Sequence, residues 1–184
     1  MTAAPNSSSF DVIVVGAGIV GLAHAYAAAK RGLRVCVVER DAACIGASIR
    51  NFGFITVTGQ APGDSWRRAM HSRDVWQEIA PQADIDIVHR HLWLAAYRPE
   101  AHAVLEAFMR TPMGEACQLI DAAEAQAKAP ALHLAEARSV LFSPHELRVE
   151  SRTAIGRLAT WLARAHGVTL SLIHISEPTR QEAI

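Results

Sequence analysis

Apolar and polar positions change rhythm several times along this chain, and each change marks an element. Asp11–Val15 (DVIVV) is a short β-branched run with no polar break after its first residue, the pattern of a strand buried on both faces of a parallel sheet. Ile19–Lys30 (IVGLAHAYAAAK) is Ala-rich and helical. Lys30 and Arg31 stand at its C-terminal end, where cations suit the dipole, and Gly32 supplies a left-handed cap. Leu33–Arg40 (LRVCVVER) reads as a second buried strand. From Asp64, the residues Trp66, Ala69, Met70, Arg73, Trp76, Ile79 and Ala80 recur at three- and four-residue spacing until Pro81, which predicts one helix. Its Trp and Met stripe is read as plain core, in preference to the lining of a substrate cavity.

Further on, Ile85–Tyr97 reads as two strands around a tight turn near Arg90. PEAHAVLEAFMR predicts a helix and CQLI a strand. Asp121, with Glu124 three residues later, forms an acidic variant of the capping box before AAEAQAKA. SVLFS and ELRVE read as short strands flanking SPH, with Arg148 and Glu150 as a cross-strand ion pair. Ser151–Gly167 is an amphipathic helix beginning at Ser151 and capped by Gly167, and VTL after it is another strand.

The chemistry concentrates in Phe10–Arg40. Gly16, Gly18 and Gly21 stand in GxGxxG spacing between the first strand and the first helix, and Glu39 ends the second strand 18 residues after Gly21. Gly16 permits the tight turn, Gly18 lets backbone approach a pyrophosphate, and Gly21 lets helix and strand pack closely. The helix N-terminus offers N–H groups and partial positive charge to phosphates. A carboxylate at Glu39 can accept hydrogen bonds from a ribose diol, and it would repel the 2′-phosphate of NADP. The acid leaves NAD and FAD both open.

The next stretch, GASIRNFGFITVTGQ (Gly46–Gln60), is rich in small residues and holds Ser48, Arg50 and Asn51. Together, VIVVGAGIVGLAHAYAAAKRGLRVCVVER and GASIRNFG resemble the FAD-dependent D-amino-acid oxidase-like (DAO) family over about residues 10 to 170. The RNFG…TGQAPG continuation is most similar to a bacterial branch associated with aminophosphonate breakdown. The resemblance implies FAD as cofactor. Gly16, Gly18, Ile19, Val20 and Gly21 would hold its pyrophosphate, Glu39 the adenosine ribose, and Arg40 would lie beside the adenine. Ala47, Ser48, Arg50 and Asn51 would run along the pyrophosphate toward the flavin ring, and Gly53 would let backbone pass close to it. It further implies oxidation of a C–N bond of an amine or amino acid by hydride transfer to the flavin. No residue of this half is named as catalytic.

The expected fold is α/β, with a Rossmann-type FAD-binding domain over 10–80 and 150–170, and part of an inserted mixed α/β substrate domain over 81–149. Residues 1–9 read as a disordered leader. The ending, SLIHISEPTRQEAI (171–184), has neither stripe nor alternation, is broken by Pro178, and is similar to the in-frame translation of a sequencing adapter. On that reading the chain is the N-terminal half of a longer enzyme, expected to be poorly soluble and to bind FAD weakly or not at all.

Composition narrows the classes. Charges balance at 18 basic against 18 acidic, and no basic run interleaves with aromatics, which argues against a nucleic-acid partner. Three cysteines without CxxC spacing (Cys36, Cys44, Cys117) fit reduced thiols in a cytoplasm, Cys36 as core. No apolar run is long enough to span a bilayer. His89 and His91 lack a third ligand in view, so no metal is expected. A small-molecule substrate is the expected partner, with the oligomeric state open. Two alternatives remain, an NAD-dependent dehydrogenase and a non-catalytic nucleotide-binding module.

Overall fold

The computed structural model describes residues 9–41, 44, 46–134 and 136–172. The chain divides into two compact units. The first takes the chain to Phe52, then Pro81–Asp86, then Glu150 onward; the second takes Gly53–Ala80 and Ile87–Val149. This moves the boundary of the sequence reading. Residues 53–80 fall in the second unit, and a six-residue return, 81–86, falls in the first. Most of the expected leader and the tail from 173 onward lie outside the described residues.

The first unit is a parallel sheet with helices. Strand β1 (Val12–Val15), helix α1 (Ile19–Ala29) and strand β2 (Val35–Glu39) form a βαβ unit, with Val12 opposite Val35 and Val15 opposite Val38. Later in the chain come helix α5 (Ser151–His166) and strand β7 (Thr169–Leu172). Strand β7 adds in parallel on the other side of β2, pairing Cys36 with Thr169 and Glu39 with Leu172, so the strand order is β1-β2-β7. The strand thus runs two residues into the expected tail.

Helices α1 and α5 pack on one another. Tyr26 of α1 lies 5.4 Å from the Trp161 ring and 5.3 Å from the His166 ring of α5. Leu22, Ala25, Val35, Val37, Leu158 and Leu162 form the core between helices and sheet. As the sequence predicts, the C-terminus of α1 is closed by Arg31 Nη1 donating to the Ala27 carbonyl at 2.7 Å and by Gly32 at φ +77°. Gly167 closes α5 at φ +65°. The return segment is tied to α5 by Arg157, which donates to the Asp84 carbonyl and to Asp86 Oδ2.

Strand β1 departs from expectation. Val14 faces α1, but Ile13 and Val15 on the opposite face are 64% and 84% exposed. Helices α1 and α5 share one side of the sheet, so the second apolar face of β1 has no cover among the described residues of this unit.

The second unit is built on antiparallel pairing. It contains β3 (Phe54–Ile55), α2 (Asp64–Ile79), β4 (Ile87–Ala96), α3 (Pro99–Met109), β5 (Gln118–Ile120), α4 (Ala122–Lys128) and β6 (Ser139–Val149). Strand β6 is central, with β4 along one side and β3 and β5 sharing the other. Successive β6 residues feed opposite faces. Leu141 joins Ala96, Leu105 and Cys117, while Val140 joins Ala125, Leu134 and Ala137. Asp121 caps α4 as its spacing predicts, accepting the Glu124 N–H at 2.7 Å.

Three sequence expectations are corrected here. Ile87–Ala96 is one bulged strand, with register shifts between Ile87 and His89 and between Arg90 and Leu92. Val88 is the extra β4 residue at the first shift, and at the second three β6 residues face His91. Within β4 only His91 takes positive φ (+75°), whereas a two-residue hairpin of the type I′ kind needs two such residues. SVLFS and ELRVE form a single strand, because Pro144 falls between Ser143 (opposite Leu92) and Leu147 (opposite Arg90), where no ladder N–H is required. On α2, Trp66, Met70 and Trp76 are only half-buried, and Ile79 and Ala80 alone of the stripe reach the core.

Candidate functional site

The glycine-rich turn of the first unit is built by backbone geometry. Gly16 leaves β1 at φ +100° and donates its N–H to the Val38 carbonyl at 2.7 Å, pinning the turn to β2. A Cβ on Gly21 would lie 2.0 Å from the Gly16 carbonyl oxygen and 3.3 Å from Val14 Cγ1, so only glycine allows this helix to sit so close to this strand. Gly18 is the N-cap of α1 with extended backbone (φ −74°, ψ 175°) and no side-chain cap of its own.

The first turn of α1 carries no acidic residue, which leaves the positive end of the dipole uncompensated from within the helix. The Ile19 N–H donates to Ser48 Oγ at 3.0 Å. The N–H groups of Val20 and Gly21 have no partner among the described residues. The Val20 side chain is exposed.

Glu39, at the end of β2, turns toward this loop. Its Oε2 accepts the Ala17 N–H at 2.7 Å and its Oε1 accepts the Asp41 N–H at 3.0 Å. The Ala17 donor, then the Asp41 donor, favours the charged form and holds the carboxyl below its ordinary value, against the opposing effect of burial. Arg40 is exposed and pairs with Asp41 at 3.6 Å.

A short 3-10 helix at Ala47–Arg50 supplies the second wall. None of its residues is buried. Ser48 Oγ reaches α1 as described, and a Cβ on Gly18 would stand 3.1 Å from that oxygen. Asn51 Nδ2 donates to the Ser48 carbonyl at 2.9 Å. Arg50 is exposed. Gly53 belongs to the second unit, where at φ +72° its carbonyl accepts the Val149 N–H at 3.0 Å.

The first unit therefore brings together Gly16, Gly18, Ile19, Val20, Gly21, Glu39, Ala47, Ser48 and Asn51, with Arg40 and Arg50 at the rim. Two contributors escape sequence reasoning. The Ala17 amide is invisible because backbone carries no residue signature. Ser151 begins α5 as the sequence predicts, and Glu150 before it is the N-cap, accepting the Arg152 N–H at 3.3 Å. What the sequence does not reveal is that the Ser151 hydroxyl donates to the Asn51 carbonyl at 2.6 Å, 100 residues away. Glu150 in that role is not the expected ion-pair partner of Arg148, whose guanidinium lies 5.8 Å from the Phe54 ring centre.

Residues 11–172 match the FAD dependent oxidoreductase (DAO) family. The chain belongs to that family. A D-amino acid dehydrogenase from Helicobacter pylori is 44% identical over 52 residues, covering 28% of this chain and 13% of the dehydrogenase. Glycine oxidase from Geobacillus kaustophilus superposes with a TM-score of 0.70 at 26% identity, over 89% of this chain and 46% of that one. L-amino acid deaminase from Proteus myxofaciens superposes with a TM-score of 0.77 at 18% identity, over 94% of this chain and 39% of that one, a likeness of fold. The chain thus spans less than half the length of each. Among the described residues no helix is long and apolar enough to cross a membrane, and no group of three His, Cys, Asp or Glu is placed to hold a metal ion.

Proposed function

We propose that the first unit holds the adenosine diphosphate part of FAD, in an enzyme whose whole length oxidises the C–N bond of an amine or amino acid. The observation that carries this reading is the Glu39 carboxylate, anchored on the Ala17 N–H at 2.7 Å, beside a helix N-terminus with unpartnered amides.

The residues present fit the group. A diphosphate takes amide and hydroxyl donors plus a cation. Val20 and Gly21 offer N–H groups, Ser48 a hydroxyl and Arg50 an exposed guanidinium. Glu39 can accept the ribose hydroxyls while keeping its backbone donors, because each carboxylate oxygen accepts more than one hydrogen bond. Arg40 stands on the adenine side. Ala47, Ser48, Arg50 and Asn51 run on toward the flavin ring, with Gly53 as the further contact. Gly16 and Gly18 shape the floor and contribute no side chain.

FAD, when bound, supplies the two-electron acceptor for hydride transfer from carbon. The part of this chain is to orient the cofactor and match its charge. No general acid or base is assigned to these 184 residues. The family membership and the amino-acid chemistry named in its relatives support an amino acid or amine as substrate class. The finer reading, an aminophosphonate-related substrate, is supported by the RNFG…TGQAPG resemblance.

The test is a nucleotide titration of the chain followed by amide chemical shifts. ADP is expected to perturb Gly16–Gly21, Glu39 and Ser48 with measurable affinity. FAD is expected to bind the same residues weakly, and 2′-phospho-ADP less tightly than ADP. Absence of shifts in Gly16–Gly21 with every nucleotide would reject the site.

A further inference from the structure

The 47–51 arm poses a question of support. The segment packs on α5 but none of Ala47–Arg50 is fully buried, and segments with few fully buried groups open readily. Hydrogen bonds hold it from two sides. On one side Ser48 Oγ accepts the Ile19 N–H of α1. On the other, Ser151 at the start of α5 donates its hydroxyl to the Asn51 carbonyl at 2.6 Å, with the Ile49 carbonyl at 3.4 Å. Asn51 Nδ2 closes the path by donating to the Ser48 carbonyl at 2.9 Å. A chain of polar contacts thus runs from α5, through the arm, to the N-terminus of α1.

Ser151 is well suited to anchor it. Its side chain is 6% exposed, so its hydroxyl competes little with water and is held by the helix it begins. Glu150 already caps that helix, so the serine hydroxyl is free to reach outside it. The bond is made to a backbone carbonyl, so it sets the path of the arm whatever side chains the arm carries.

We propose that Ser151 is a positioning residue for the cofactor diphosphate, fixing the 47–51 arm so that Ser48 faces the N-terminus of α1. It touches no cofactor atom. The inference rests on the reading of this unit as the FAD diphosphate site. Removal of the hydroxyl weakens ligands that carry the diphosphate and spares those that engage only Glu39 and the adenine side.

The experiment compares Ser151→Ala and Ser151→Thr with the parent chain, using ADP and adenosine as probes and amide hydrogen exchange as a second measurement. For Ser151→Ala, ADP affinity is expected to fall about tenfold, adenosine affinity to stay within about twofold, and exchange at 47–51 to quicken while β1 and β2 stay protected. Ser151→Thr, which keeps the hydroxyl, is expected to restore ADP affinity. Equal losses for ADP and adenosine would mean a merely structural serine and overturn the proposal. So would ADP affinity unchanged in Ser151→Ala. Where Ser151→Ala does not fold, Ser151→Cys, close in volume and a weak donor, replaces it in the same comparison. A parent chain that binds neither probe would reject the site and this proposal together; a parent that binds while Ser151→Ala matches it would reject the proposal alone.

Discussion

Glu39 Oε2 accepts the N–H of Ala17 at 2.7 Å, joining the end of β2 to the turn after β1 across 22 residues. The contact closes the βαβ unit at its glycine-rich turn. With the Asp41 N–H on Oε1, it also fixes the direction of the carboxylate before any ligand arrives. Preorganised acceptors lose less freedom on binding.

Glu39→Gln tests that arrangement. The amide keeps one oxygen acceptor and turns an NH2 group toward a backbone donor, so one of the two amides loses its partner. The expected cost is about 1–2 kcal/mol of stability, read from the urea midpoint, together with about tenfold weaker ADP binding. A variant that matches the parent in both would show that the carboxylate is idle.

Acid should weaken the first unit through two carboxyls. Asp11 is lowered from 3.8 to about 2, chiefly by the side-chain hydrogen bond from Arg34 and then by the Arg34 backbone N–H. Glu39 is lowered from 4.5 by the Ala17 and Asp41 amides. A carboxyl with a depressed folded-state pKa stabilises fully above its unfolded value and ceases to as pH falls through the folded one. Stability from these groups is therefore flat above pH 5 and declines below 4.5 for Glu39, and between 3.8 and about 2 for Asp11. Asp11→Asn should flatten the lower part of that decline. Urea midpoints measured against pH check this, and an unaltered acid slope in Asp11→Asn would contradict it.

Two glycines in helices should respond in opposite ways. Gly21→Ala places a carbon against the Gly16 carbonyl, where backbone would have to move. The expected loss exceeds about 3 kcal/mol, or prevents folding. Gly156, on α5, meets nothing within 4 Å of an added Cβ. Gly156→Ala should stabilise by about 0.5–1 kcal/mol through helix propensity. Thermal denaturation of the pair separates close packing from a general intolerance of substitution.

Much of this was legible in the sequence where the signal is local. The βαβ unit, the caps of α4 and α5 and the boundaries of α2 follow from glycine placement, Asp121 with Glu124, and apolar spacing, all set by neighbours within a turn or two. The misreadings share a different origin. The single strand β6 is interrupted in its sequence pattern by Pro144 and stays one strand because residues 144–146 bulge from the ladder opposite the single residue His91, a property of the pair. The exposure of Ile13 and Val15 depends on which side of the sheet the helices occupy, and an apolar run records only that burial suits it. The 81–86 return is held by Arg157 to Asp84 and Asp86, and the arm by Ser151 to Asn51. Both are contacts between residues far apart in the chain, with no spacing that encodes them.

The second unit offers a test of a buried carboxylate. Glu146 is 7% exposed, and its Oε1 accepts the Thr58 N–H at 2.5 Å and the Val57 N–H at 3.3 Å. The Thr58 hydroxyl donates to Ser143 Oγ at 2.9 Å, and the same oxygen accepts the His145 N–H at 3.2 Å. The loop after β3 is thus bound to β6 by backbone donors meeting one acid. Glu146→Ala strips both donors of their acceptor in a dry place, and a buried donor left unsatisfied costs about 1–3 kcal/mol. Glu146→Gln keeps an oxygen in reach of both, so its cost should stay near 1 kcal/mol. Thr58→Val loses the hydroxyl contact but keeps the amide, and should fall between them. The order Ala worst, Val next, Gln mildest, measured by urea midpoint, follows if the acid acts as an acceptor for backbone. Were the negative charge itself the stabilising feature, Gln would be as damaging as Ala.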